Sequence, residues 1–175
     1  TISRDFWIQK TEVTQAQWQD LMGVNPAHFS GCGLDCPVEQ VTFTEVLGYL
    51  NALSEKEGLE ACYTVTEETL DWPEGPSCEG YRLPTEAEWE YTARAGTTGP
   101  AYGDVPTIAW VYDNSYPTGD PTKPEPRPVA QKPTNAWGLH DTLGNVYEWT
   151  WDWYAEYDLE TATDPTGLDG EERVI

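Results

Sequence analysis

The sequence predicts an α+β domain with little regular structure, on three observations. Hydrophobic residues make up only 38% of the chain, and nine Trp and ten Tyr supply the volume that Leu and Ile would otherwise fill. Each large aromatic buries roughly 150–250 Å². Fifteen Gly and 14 Pro interrupt the chain too often for regular layers, so the fold is expected to be loop-rich and pinned by aromatic anchors. With 175 residues, no internal repeat and no dividing linker, one domain over 1–175 is the economical reading.

Three helices carry the same start signal. Thr14-Gln15-Ala16-Gln17 has the capping-box pattern, with Val13 and Trp18 at the hydrophobic-staple positions. Trp18, Leu21 and Met22 share one face, and Gly23 can close the end. Thr42-Phe43-Thr44-Glu45 repeats the box, with Val41 and Val46 as staple, a stripe of Val46, Leu50 and Leu53, and Gly58 beyond. The third box is Thr85-Glu86-Ala87-Glu88, its helix ending at Gly96. Alternation over 6–13 predicts a strand leading into the first helix, and 62–65 reads as another. From 97 to 134 no helix period is present, but Trp110, Tyr112 and Tyr116 supply anchors for an ordered irregular region. Arg82 with Glu88 to Glu90 reads as an ion-pair network around the third helix, in preference to catalytic acid and base.

The four cysteines lie in turn-rich sequence. An even count in such a setting predicts disulfides in an oxidising compartment. Pairing by sequence neighbours gives Cys32–Cys36 and Cys62–Cys78. The rival is zinc at His28, Cys32 and Cys36, for which no fourth ligand is evident. An extracytoplasmic location follows from the disulfide reading, together with a start at Thr1 that reads as a mature or trimmed chain.

Acidic residues outnumber basic ones 31 to 9, a net charge of −22. That balance disfavours nucleic acid and anionic membrane surfaces, and suits divalent cations or a basic peptide. No run approaches the ~20 apolar residues of a membrane-spanning helix. No G-x-S-x-G elbow, P-loop or H-E-x-x-H occurs, and neither His28 nor His140 has a nucleophile beside it.

The sharpest local chemistry is Asp141-Thr142-Leu143-Gly144-Asn145-Val146-Tyr147-Glu148. A carboxylate opens it, a glycine permits a tight turn, and a second carboxylate closes it. Calcium takes about six to eight oxygens, carboxylates mixed with carbonyls. Asp141 and Glu148 can offer side chains, and Gly144 and Val146 backbone carbonyls. The plain alternative is an Asp-initiated turn followed by a solvated Glu. Trp149, Trp151 and Trp153 then alternate, so in an extended chain they share a side. A core wall is favoured for them over a sugar or peptide platform.

The runs YRLPTEAEWEY (81–91) and NAWGLHDTLGNVYEWTWDWY (135–154) resemble the formylglycine-generating-enzyme family, also called the sulfatase-modifying-factor family. FWIQKTEVTQAQWQDLMG and CPVEQVTFTEVLGYLNALSEKEG resemble its opening elements, so the likeness runs through nearly the whole chain. It implies an irregular α+β fold similar to C-type lectins. It also implies calcium at Asp141, Gly144, Val146 and Glu148, with a second site near Asn114 and Ser115. The family's founding activity is copper-dependent oxidation of a sulfatase cysteine to formylglycine. The two cysteines that bind the copper belong to a C-terminal segment after an R-G-G-S type motif. Arg173-Val174-Ile175 stands where that motif would begin, and none of the four cysteines present matches the copper pair by position. The resemblance therefore implies a further segment, or another chain, completing the fold and covering its apolar face. Two function classes remain open: a non-catalytic or divergent binding or scaffold domain, which the paired cysteines favour, and a copper oxidoreductase whose cysteines lie beyond Ile175. The partner expected is a basic or cysteine-containing peptide or protein.

Overall fold

All three capping boxes form in the computed structural model, which describes residues 1–116, 122–155, 163–167 and 170–175. In the helix Gln15–Met22 (α1), Thr14 accepts from the Gln17 amide while Gln17 returns the bond to the Thr14 N–H, and Gly23 closes the helix in the left-handed conformation. Thr42 and Glu45 do the same for Phe43–Lys56 (α2). Thr85 and Glu88 start Glu86–Arg94 (α3). A short fourth helix, Val105–Ile108 (α4), lies in the stretch expected to be irregular, with Pro106 in its first turn. The strands Thr64–Val65 (β1) and Leu70–Asp71 (β2) pair antiparallel, Thr64 opposite Asp71 and Val65 opposite Leu70. The molecule is thus α+β and loop-rich.

The expected strand over 6–13 is a correction. The segment bends at Lys10 and Thr11 and joins no ladder, and its links are single bonds such as Val38 N–H to Val13 O at 2.9 Å. The helix stripes also shift. In α1 the buried residues are Gln15 and Trp18, and Met22 is exposed. In α2 they are Leu47, Tyr49 and Ser54, while Val46 and Leu50 pack at the core's edge.

The residues gather into two compact units. One comprises Thr1–Phe6, Val41–Trp89 and Trp149–Ile175. Its core is Leu47, Cys62, Tyr63, Trp72 and Leu83. Asn51 of α2 holds the chain ahead of β1, its amide bonding both the N–H and the C=O of Tyr63. Trp151 stacks on Tyr63 at 5.4 Å and meets Trp72 edge-on at 5.0 Å, and Phe43 touches both Trp149 and Trp151. The alternating tryptophans therefore share a side, yet they are only partly buried, and Thr150 and Asp152 between them are the buried residues. Arg173 lies over Phe43, Trp151 and Trp153, with its guanidinium 3.8 Å from the Trp153 ring centroid, where cation–π attraction holds it. The segment carrying it pairs with the tryptophan run through Thr150 N–H to Val174 O and Val174 N–H to Asp152 O.

The second unit comprises Trp7–Gln40 and Glu90–Glu148. Gln15 is fully buried and replaces an apolar contact with a network. Its Nε2 donates to the carbonyls of Phe29 and Pro37, and its Oε1 accepts from Asn25. Asn135, also buried, donates to the carbonyls of Thr92 and Ala93 at the end of α3 and accepts from the amides of Trp137 and Leu139. It thereby satisfies helix-end carbonyls that lack intrahelical donors.

Cysteines pair as Cys32–Cys36 and Cys62–Cys78, and none of the described cysteines is free. The zinc alternative is thereby overturned, because disulfide sulfurs offer no thiolate to a metal. His28 packs edge-on against Phe29 instead.

Candidate metal centre

The turn that follows His140 is built from left-handed backbone. Asp141 (φ 55°), Gly144 (φ 83°) and Asn145 (φ 59°) all lie in that region. Asp and Asn tolerate it better than other side-chain-bearing residues, and departures of this kind concentrate at functional sites. Gly144 is required twice over. A Cβ there would sit 2.1 Å from the Trp110 carbonyl oxygen, the same oxygen that accepts from the Asn145 N–H at 2.8 Å.

Asp141 has no solvent exposure. Its Oδ2 accepts from the Ala130 N–H at 2.7 Å, while Oδ1 is buried without a hydrogen-bond partner. Burial raises its pKa, and the Ala130 bond and the neighbouring His140 oppose the rise. A buried polar atom without a partner costs free energy, so such an atom in a native fold calls for an explanation. Val146 and Glu148 are half-buried, and Gly144 is exposed at the surface of the turn.

The structure adds a residue that sequence reasoning treated as part of a strand. Glu12 accepts from Asn145 Nδ2 at 3.0 Å through Oε1, and its Oε2 is a second buried carboxylate oxygen without a partner. Its pKa is pushed up to about 8, first by burial and then by the charges of Asp141 and Glu148. Glu12 therefore lies in the fields of both carboxylates that the turn sequence singled out. Its only sequence signal is an acidic residue inside an alternating run, and nothing local marks its partner, 133 residues away. Asn145 Oδ1 accepts from Arg127 N–H at 2.9 Å, which anchors the turn from a third segment.

Asn114, near the second expected cation site, is committed to the backbone. It accepts from Val111 N–H and donates to the carbonyls of Pro106 and Ala109. Ser115 is buried and takes the Glu125 N–H on its carbonyl. His140 Nδ1 meets the Lys132 carbonyl at 2.8 Å. Among the described residues no three His, Cys, Asp or Glu side chains form a ready metal cluster. A cation at the turn would thus take two carboxylates and complete its shell with carbonyls and water, a donor set of hard oxygens that fits calcium.

A loop-rich α+β fold carrying a left-handed turn at Asp141–Asn145 defines a class, and the comparisons give its family. The chain belongs to the Sulfatase-modifying factor enzyme 1-like domain family, which matches residues 1–175. It is 36% identical over 180 residues to the chaperone protein LppX of Paenibacillus barcinonensis, covering 86% of this chain and 63% of that protein. It is 41% identical over 100 residues to the formylglycine-generating enzyme of Streptomyces coelicolor, covering 50% of this chain and 32% of the enzyme. Among solved structures it is similar to Treponema denticola variable protein 1, with a TM-score of 0.80 at 34% identity, covering 93% of this chain and 68% of that one. The chain spans under two thirds of the length of these two sequence relatives.

Proposed function

We propose that this chain is an extracytoplasmic calcium-binding domain and a divergent, non-catalytic member of its family, serving as a binding or scaffold module. The observation that carries the reading is Asp141, fully buried with Oδ1 unpartnered in a turn of left-handed residues. In this reading Asp141 and Glu148 supply carboxylate oxygens to the ion, and Gly144 and Val146 supply carbonyls. Bound calcium contributes positive charge among carboxylates and fixes the turn's conformation. Two disulfides fit an oxidising compartment. No helix among the described residues is long and apolar enough to cross a membrane.

The binding role draws on two observations. The Paenibacillus relative is named a chaperone protein, which favours a binding role here. The net charge of −22 suits a basic peptide partner. Copper chemistry does not fit the residues present, because all four cysteines are held in disulfides and no thiolate pair is available to the metal.

The test is thermal unfolding in chelator and in calcium. An ion at about 100 times its Kd adds roughly 2.7 kcal/mol to stability. Chelator is expected to lower the Tm and calcium to restore it, with Asp141→Ala abolishing the response. A melt indifferent to both additives removes the reading.

A further inference from the structure

Each of two carboxylates in the second unit has one oxygen pinned and the other buried without a partner. Glu12 Oε1 is held by Asn145 Nδ2 at 3.0 Å, and Asp141 Oδ2 by the Ala130 N–H at 2.7 Å. The opposite oxygens, Glu12 Oε2 and Asp141 Oδ1, are both buried and meet no donor. Asn145 is itself fixed, bonding the N–H and the C=O of Arg127 with its side chain. Glu12 is therefore oriented by the turn through Asn145. Its carboxylate feels the charges of Asp141 and Glu148, a repulsion that a divalent cation between them would reverse. Among the described residues no three acidic side chains form a direct ligand cluster, and an outer position, one water away, is the remaining way for Glu12 to serve an ion at Asp141.

We propose that Glu12 is the outer carboxylate of the cation site, its Oε2 accepting a hydrogen bond from a water held on an ion bound at Asp141, and its Oε1 tying that carboxylate to the turn through Asn145. The inference rests on the calcium reading above and deepens it. Glu12 is a positioning residue here. It adds charge to the site without occupying a ligand position, and it connects two segments 133 residues apart.

Calorimetric calcium titration of the whole protein tests this, with Glu12→Gln and Asp141→Ala as variants. Glutamine keeps an oxygen for Asn145 and removes the charge. Loss of an outer-shell partner weakens metal binding by about 10- to 100-fold, the loss expected for Glu12→Gln. In chelator the same variant should melt no lower than the parent, so that a weakened calcium Kd cannot be put down to a loosened fold. Terbium luminescence lifetimes in light and heavy water should give the same count of bound waters for both proteins. An unchanged calcium Kd in Glu12→Gln, or a gained water on terbium, overturns the proposal and leaves the calcium reading standing. A parent protein that binds no calcium, or an Asp141→Ala variant that binds it as tightly as the parent, overturns both. Glu12→Asp keeps the charge and shortens the reach. Where the glutamine variant does not fold, a weakened Kd in Glu12→Asp supports the role and an unchanged one removes it.

Discussion

Glu12 holds a proton at pH values where an exposed glutamate has lost it, and that has a definite sign for stability. Its pKa rises from the ordinary 4.5 to about 8 on folding. Between those values the folded protein carries a proton that the unfolded chain has released. Its contribution is therefore fully present below about pH 4.5 and is lost as pH rises through 8. Asp141, raised by burial, acts in the same direction. In chelator, urea denaturation should show stability falling across this window by roughly a few kcal/mol, and Glu12→Gln should flatten the slope. Calcium should flatten it too, because a cation favours the ionised carboxylates. A metal-free parent with equal stability at pH 5 and pH 8 would contradict the assignment.

At the scale of elements, α3 separates two ion pairs that look alike in sequence. Arg82 grips Glu88 with both ends of its guanidinium, at 2.7 and 2.8 Å, and the side chains are only 12% and 6% exposed. Glu88 also accepts the Thr85 N–H that starts the helix. Glu90 pairs with Arg94 one turn on, and both are over 40% exposed. Removing Glu88 strands a buried guanidinium and breaks the cap, so Glu88→Ala should cost about 3–5 kcal/mol. Glu90→Ala should cost at most about 1 kcal/mol. Equal losses in urea unfolding would show that burial is not what distinguishes them. The sequence reading grouped these residues because spacing reveals neighbours along a helix and not depth. Capping boxes were legible for the same reason, since both partners lie within four positions. Gln15 and Asn135 were not legible. Each is buried because of carbonyls supplied by distant loops, which no local pattern records. Glu12 was missed on the same grounds, whereas the Asp141–Glu148 turn stood out because its residues are contiguous. The run at 6–13 has a strand's alternation in sequence but pairs with no neighbouring strand, and pairing is what makes a strand.

For the molecule as a whole, the small share of regular structure shifts stability onto crosslinks and aromatic packing. The Cys62–Cys78 disulfide spans 16 residues beside the core of Leu47, Tyr63 and Trp72. Loop-closure entropy makes it worth about 3 kcal/mol. The Cys32–Cys36 ring is much shorter and constrains the unfolded chain less. Replacing Cys62 and Cys78 by serine should therefore lower the denaturant midpoint more than the same change at Cys32 and Cys36. The reverse ranking would indicate that native-state contacts of the small ring outweigh chain entropy. Net charge of −22 acts against compaction everywhere, so added salt should raise stability even in chelator.

The close packing of Tyr63, Trp72 and Trp151 has an optical consequence. Their rings lie 5.0 to 6.0 Å apart at fixed and unequal tilts, so their electronic transitions couple and the coupled pair of bands acquires a handed signature. Among the described residues the backbone has short helices and one two-stranded ribbon, which give a weak far-ultraviolet dichroism. The indole and phenol bands therefore become the stronger spectroscopic record of the native state. They vanish when the rings lose their mutual orientation, even if every helix survives.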